Sequence, residues 1–128
     1  PVPFSAAHLK NKRWGPALVA AAGPLMNMII AILCAVVFRI IAASGLNVSF
    51  ATMLVNVVVI NISLAIFNLI PFPPLDGHHI LGALIPQFKT WSDRVLNRYG
   101  IFLLVIILFF AGSIISPVVA FCTKLLLL

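Results

Sequence analysis

The sequence predicts an all-α protein, a polytopic bundle of three transmembrane helices with a proline-broken turn after the second. Two observations carry that prediction. Of the 128 residues, 63% are hydrophobic and only 8% are charged, against roughly a quarter charged in an ordinary soluble domain. Three runs, residues 17–38, 51–70 and 101–121, contain no charged residue. At about 1.5 Å of rise per residue, each run is long enough to cross the roughly 30 Å hydrocarbon layer of a bilayer. The whole chain is read as one membrane domain, residues 1–128.

Residues 1–16 read as a connector, because Pro1, Pro3 and Pro16 disfavour helix and Trp14, beside Lys12 and Arg13, suits a membrane interface. The first span follows, interrupted by Gly23-Pro24 and Asn27. Its small residues Ala17, Ala20, Ala21, Ala22 and Gly23 would let a neighbouring helix approach closely. A kinked, packed helix accounts for these residues without chemistry. The second span carries Asn56, Asn61 and Asn68, the last two within about 20° of one another on a helix of 3.6 residues per turn. Amides in lipid need partners, so this face is expected to look into protein, where interhelical hydrogen bonding would suffice to explain it.

Pro71-Phe72-Pro73-Pro74 cannot continue a regular helix and ends the second span. Beyond it, residues 79–85 suggest a short apolar helix. Pro86 and a mixed-charge segment follow, read as a solvated loop in which Ser92 or Asp93 could cap a short helix. In the third span, Gly112, Ser113, Ser116 and Pro117 suggest a bend.

The net charge of +6 does not point to nucleic acid, because the basic residues lie where a membrane protein places them. Lys10, Lys12 and Arg13 precede the first span, and Lys89, Arg94 and Arg98 lie between the second and third. If every span crosses, both groups fall on one side. The positive-inside rule makes that side cytoplasmic and leaves residues 44–50 outside, with Arg39 snorkelling to the outer interface and Lys124 at the outer end. Cys34 and Cys122 have no Cys or His at metal-ligand spacing and read as small apolar residues.

The acidic residues are Asp76 and Asp93, and Asp76 follows a hydrophobic span after the proline run. A carboxylate left unpaired at low dielectric costs several kcal/mol, so Asp76 is expected either to meet a cation or to cap the short helix through backbone N–H groups. His78 and His79 admit a metal reading, since two histidines and an aspartate would supply the three protein ligands of a catalytic zinc. Consecutive helical residues diverge by about 100°, which makes joint ligation difficult, and interfacial hydrogen bonding is the alternative. His8 lies in the connector and is assigned no role. The chain contains no Glu, so H-E-x-x-H is absent from these residues.

The run Phe67-Asn68-Leu69-Ile70-Pro71-Phe72-Pro73-Pro74-Leu75-Asp76-Gly77 resembles the second signature of the site-2 protease family of intramembrane zinc metalloproteases. Upstream, Ala22-Gly23-Pro24-Leu25-Met26-Asn27 is similar to that family's Gly-Pro-x-x-Asn element. The opening Pro1-Val2-Pro3 resembles the connector of its compact bacterial branch. The resemblance is strong at 67–77, weaker over 1–27, and rests on hydropathy alone after residue 100.

By position, the resemblance implies that Asp76 is a zinc ligand and that Asn68 places or stabilises the substrate carbonyl. Gly77, Pro71 and Pro74 would shape the turn, and Gly23, Pro24 and Asn27 would form the packed upstream element. It also implies that two histidines and a general-base glutamate come from an H-E-x-x-H helix earlier in the same polypeptide, or from a completing chain. These 128 residues would then be the C-terminal part of a larger protease domain, inactive in isolation. The implied substrates are membrane-spanning segments of regulatory proteins, and the implied location is the bacterial cell membrane. Two other classes fit the composition: a non-catalytic scaffold or regulatory subunit binding a partner helix through its Asn face, and a transporter fragment using Asp76 as an ion or proton site.

Overall fold

The computed structural model describes residues 14–45 and 48–128. The connector readings at Pro1, Val2, Pro3, His8, Lys10, Lys12 and Arg13 lie outside the described residues. Among those described there are four helices and no strand: α1 (Gly15–Ala43), α2 (Val48–Leu69), α3 (Gly77–Leu84) and α4 (Pro86–Leu127). Three of them, over Gly15–Ala43, Ser49–Leu69 and Pro86–Leu127, are long and apolar enough to cross a membrane. The protein is a membrane helical bundle.

The α1 helix begins earlier than the prolines suggest. Pro16 occupies its first turn, where the missing N–H would have no intrahelical acceptor and the fixed φ already suits a helix. Pro24 lies inside α1 without ending it. The helix stops at Ser44, whose hydroxyl donates to the carbonyls of Ile40 (3.1 Å) and Ile41 (2.9 Å). Gly45 follows at φ 67° with its amide directed at Ala42 O, 3.4 Å away. That left-handed conformation is cheap only for a residue without Cβ, and it turns the chain toward α2.

The spans meet through a core of small and branched residues: Ala31 and Ala35 of α1, Val58 and Ile62 of α2, and Ala111, Ile115 and Val119 of α4. Ala31, Val58 and Ile62 are completely buried. Alanine on α1 opposite Val and Ile on α2 lets the backbones approach and gain dispersion contacts, the main packing force between helices already solvated by hydrocarbon. The outward faces carry Leu18, Leu33, Ile40, Phe109, Ile114 and Phe121, all exposed in the isolated chain and suited to lipid.

Two expectations are corrected in α4. Residues 86–100, read from the sequence as a solvated loop, are helical and continuous with the span. Pro86 occupies the first turn, and no helix breaker follows until Gly100, so nothing in the segment opposes propagation from the membrane helix. Ser92 is therefore no cap: it is fully buried within the helix and donates to Lys89 O at 2.9 Å. At about 63 Å for its 42 residues, α4 is roughly twice as long as a bilayer core is thick, so its charged first third extends beyond the hydrocarbon. Pro117, where the sequence suggested a bend, lies inside α4.

The polar face of α2 also differs from expectation. Asn61 donates to Val57 O of its own helix at 2.9 Å, and Ser63 to Val59 O at 2.7 Å. Each of these groups donates to a carbonyl one turn back in its own helix, which offsets part of the cost of placing it in lipid.

Because Ala31 is completely enclosed, Ala31→Leu should destabilise the bundle by about 1–3 kcal/mol through overpacking. Ile32→Leu, on the exposed face, should stay within about 0.5 kcal/mol of the unsubstituted protein. Thermal unfolding of both variants in one detergent is the check, and equal shifts would contradict this packing.

Candidate functional site

The segment between α2 and α3 must reverse direction although three of its residues, Pro71, Pro73 and Pro74, carry no N–H. Three of its other amides find acceptors locally. Ile70 N donates to Phe67 O (3.2 Å), Phe72 N to Ile70 O (2.8 Å) and Leu75 N to Phe72 O (2.9 Å). Pro73 is fully buried, whereas Pro71 and Pro74 lie at the surface of the turn. Phe72 packs edge-on against Trp91 of α4 with ring centroids 6.1 Å apart, and Phe88 lies 5.6 Å from the same indole. The Phe72–Trp91 contact ties the turn to the start of α4, and Phe88 packs the indole from within that helix.

Gly77 is required by space. A Cβ at that position would collide with the carbonyl oxygens of Leu69 and Ile70, so the first residue of α3 lies directly against the last turn of α2. A collision with backbone, unlike one with a flexible side chain, has no inexpensive relief. The Asp-Gly pair is thus a packing unit, with the glycine allowing the approach that places the aspartate.

Asp76 occupies the N-cap position of α3 but makes no side-chain capping hydrogen bond. Its backbone is helical (φ −61°, ψ −31°) rather than in the extended region typical of N-caps, and this conformation turns the carboxylate away from the first amides of α3. The capping alternative raised by the sequence is corrected accordingly. The carboxylate faces α1 instead: Oδ2 lies 3.4 Å from where a Cβ on Gly23 would be. Asn27 is one turn further along α1 on the same face as Gly23 and is half-buried, and Pro24 between them is buried. Asn68, also half-buried, lies in the last turn of α2. The fold thus joins the Gly23-Pro24 element to Asp76-Gly77, although about fifty residues separate them in sequence.

The two histidines differ. His78 is 3% exposed, and its ring Nδ1 bonds to Leu75 O. His79 is half-buried, with its ring centroid 3.9 Å from that of His78. Burial, followed by the neighbouring His78, holds the His79 imidazole below its ordinary pKa, favouring the neutral ring. Among the described residues no group of three His, Cys, Asp or Glu side chains comes close enough to hold a metal ion. Asp76, His78 and His79 therefore do not assemble a complete ligand set by themselves.

Sequence reasoning missed a cavity of about 830 Å³ between α2 and α4, bordered by Ser63, Phe67, Gly112, Ser116 and Thr123 among others. No candidate site residue lines it. The small residues of α4 were visible in the sequence, but which helix they would face was not.

Residues 37–111 match peptidase family M50. The chain belongs to that family. Its M50 membership agrees with the site-2 protease signature at 67–77, which lies within the matched region. The chain is also 31% identical over 115 residues to the protein named "Putative zinc metalloprotease YwhC" of Bacillus subtilis (strain 168), an alignment covering 85% of this chain and 52% of that protein. The chain thus spans about half the length of that curated relative. No solved structure matches it.

A zinc cofactor is implied by the M50 family, and the donor chemistry here is compatible with one. Asp76 offers an oxygen donor on a buried-side turn, not consumed by capping and opposite a residue without a side chain. As a donor it would count for one ligand of a set, and the described residues do not complete such a set.

Gly77→Ala should disrupt the turn, lowering thermal stability in detergent or the yield of folded protein, because the added methyl meets two carbonyl oxygens. Gly23→Ala should be tolerated at ordinary contact distance, whereas Gly23→Leu should push the Asp76 carboxylate aside. Measuring the stability of all three variants checks the geometry, and a harmless Gly77→Ala would contradict it.

Proposed function

We propose that this chain forms part of a zinc-dependent intramembrane endopeptidase of the site-2 type, with Asp76 as the metal ligand contributed by these residues. The observation that carries the reading is the Asp76 carboxylate itself. It stands at a proline-broken helix end, is not used as a cap, and faces Gly23 of the Gly-Pro-x-x-Asn element. A carboxylate held at a membrane helix terminus without a capping role is well suited to a cation.

In this reading two histidines and a general-base glutamate are supplied by an H-E-x-x-H helix of the same polypeptide or of a completing chain. The chemistry that a bound zinc supplies is Lewis acidity toward the peptide carbonyl and an attacking water. Asp76 holds its carboxylate toward α1, where Gly23 leaves room for it. Asn68, at the end of α2, orients the substrate carbonyl through its amide N–H. Gly77 and the prolines hold the broken backbone, which is tolerable at this depth because it lines protein rather than lipid. The substrate class is a transmembrane segment of a regulatory membrane protein that can unwind into extended form. The enzyme resides in the bacterial cell membrane with the charged end of α4 and its basic residues on the cytoplasmic side.

Asp76→Ala in the full-length protein should lower zinc content and abolish cleavage of a membrane substrate. Asn68→Ala should keep the zinc and reduce kcat by roughly 10²-fold, as loss of a single carbonyl-stabilising donor does. Metal analysis and a cleavage assay on both variants separate these roles, and zinc and activity unchanged in Asp76→Ala would remove the ligand assignment. Absence of both zinc and cleavage from the unsubstituted full-length protein would instead favour the non-catalytic scaffold.

A further inference from the structure

We propose that His78 is a positioning residue that sets the orientation of Asp76 by clamping the peptide immediately before it, and that its Nδ1 rather than its Nε2 carries this role. The inference rests on the reading of Asp76 as a metal ligand. Among the described residues the buried polar or charged side chains are His78 and Ser92, and Ser92 merely bonds to its own helix. His78 differs because its bond leaves α3.

The backbone amide of His78 points at Leu75 O, 3.3 Å away, and its ring Nδ1 bonds to the same oxygen. A carbonyl only accepts, so Nδ1 carries the proton in this contact. The carbonyl of Leu75 and the amide of Asp76 belong to one planar peptide unit. Holding that oxygen from two directions restrains the plane, and the plane restrains φ of Asp76 and so the direction of its Cα–Cβ bond, from which the carboxylate extends. Pro73 and Pro74 precede this unit and donate no hydrogen bonds, so the histidine supplies restraint that the preceding backbone lacks. The His79 ring, 3.9 Å from that of His78, covers the clamp on one side, and Gly23 leaves the carboxylate room on the other.

The two amide isosteres of histidine separate this role from direct ligation. Asn places an N–H donor where Nδ1 stands, and Gln places one where Nε2 stands. The experiment compares His78→Phe, His78→Asn, His78→Gln and Asp76→Ala in the full-length protein. The readouts are zinc affinity by chelator competition, amide hydrogen exchange across residues 76–79 in metal-free protein, and thermal stability. His78→Phe is expected to weaken zinc binding roughly ten- to a hundredfold, as loss of a residue that orients a ligand does, and to speed exchange at these amides. His78→Asn should restore both and His78→Gln neither.

Rescue by Gln but not by Asn would overturn the proposal in favour of a role for Nε2. Unchanged zinc affinity in His78→Phe, with zinc lost in Asp76→Ala, would overturn the positioning role while sparing the ligand. Zinc retained by Asp76→Ala would overturn both. If the Phe variant does not fold, the contrast between Asn and Gln still decides.

Discussion

Hydrocarbon offers no hydrogen-bond partners, so a chain that leaves a helix at the membrane must satisfy its freed backbone groups with other protein groups. Here the demand falls on residues 70–77, where three prolines remove donors and the carbonyls at the end of α2 lose their helical partners. The amides of Ile70, Phe72 and Leu75 each reach a carbonyl two or three residues back, which closes the turn tightly. Tight closure then brings Gly77 onto the Leu69 and Ile70 carbonyls and Asp76 toward α1. The position of the carboxylate is a consequence of how the broken helix satisfies its own backbone.

A turn of this kind is only as well placed as the helices around it. The alanine face of α1 lets it lie close to α2, and that approach carries Gly23 to the carboxylate. On the other side, Phe72 and Phe88 grip Trp91, and Lys89 Cβ lies 3.1 Å from where a Cβ on Gly82 would stand, so α3 and the first turns of α4 form a tightly packed corner. The extended helical start of α4 matters for this reason. A solvated loop over residues 86–100 would leave Phe72 without a rigid neighbour.

The fold was legible where the signal was long and uniform. Three uncharged runs and the proline cluster predicted three spans and a break after the second, because bilayer thickness and backbone satisfaction leave few alternatives. Boundaries were less legible. Pro16 and Pro86 read as breakers although each occupies a first helical turn, and the charges of residues 87–98 suggested a loop although charge does not oppose helix once a span propagates outward. The amide face of α2 pointed to partners on other helices, yet Asn61 donates to a carbonyl of its own helix.

Hydropathy and a contiguous motif are local properties of the chain, and they suffice to mark a membrane protein of the M50 family with a conspicuous aspartate behind a broken helix. Whether that aspartate is a cap, what faces it and how the two histidines divide emerge only from the folded turn. Those outcomes depend on backbone dihedrals at Asp76 and on a contact with Gly23 far away in sequence, which residue order does not encode. His78 illustrates the difference. As a residue type it suggested a ligand or an interfacial side chain, and only the folded turn shows its ring bonded to the carbonyl that precedes Asp76.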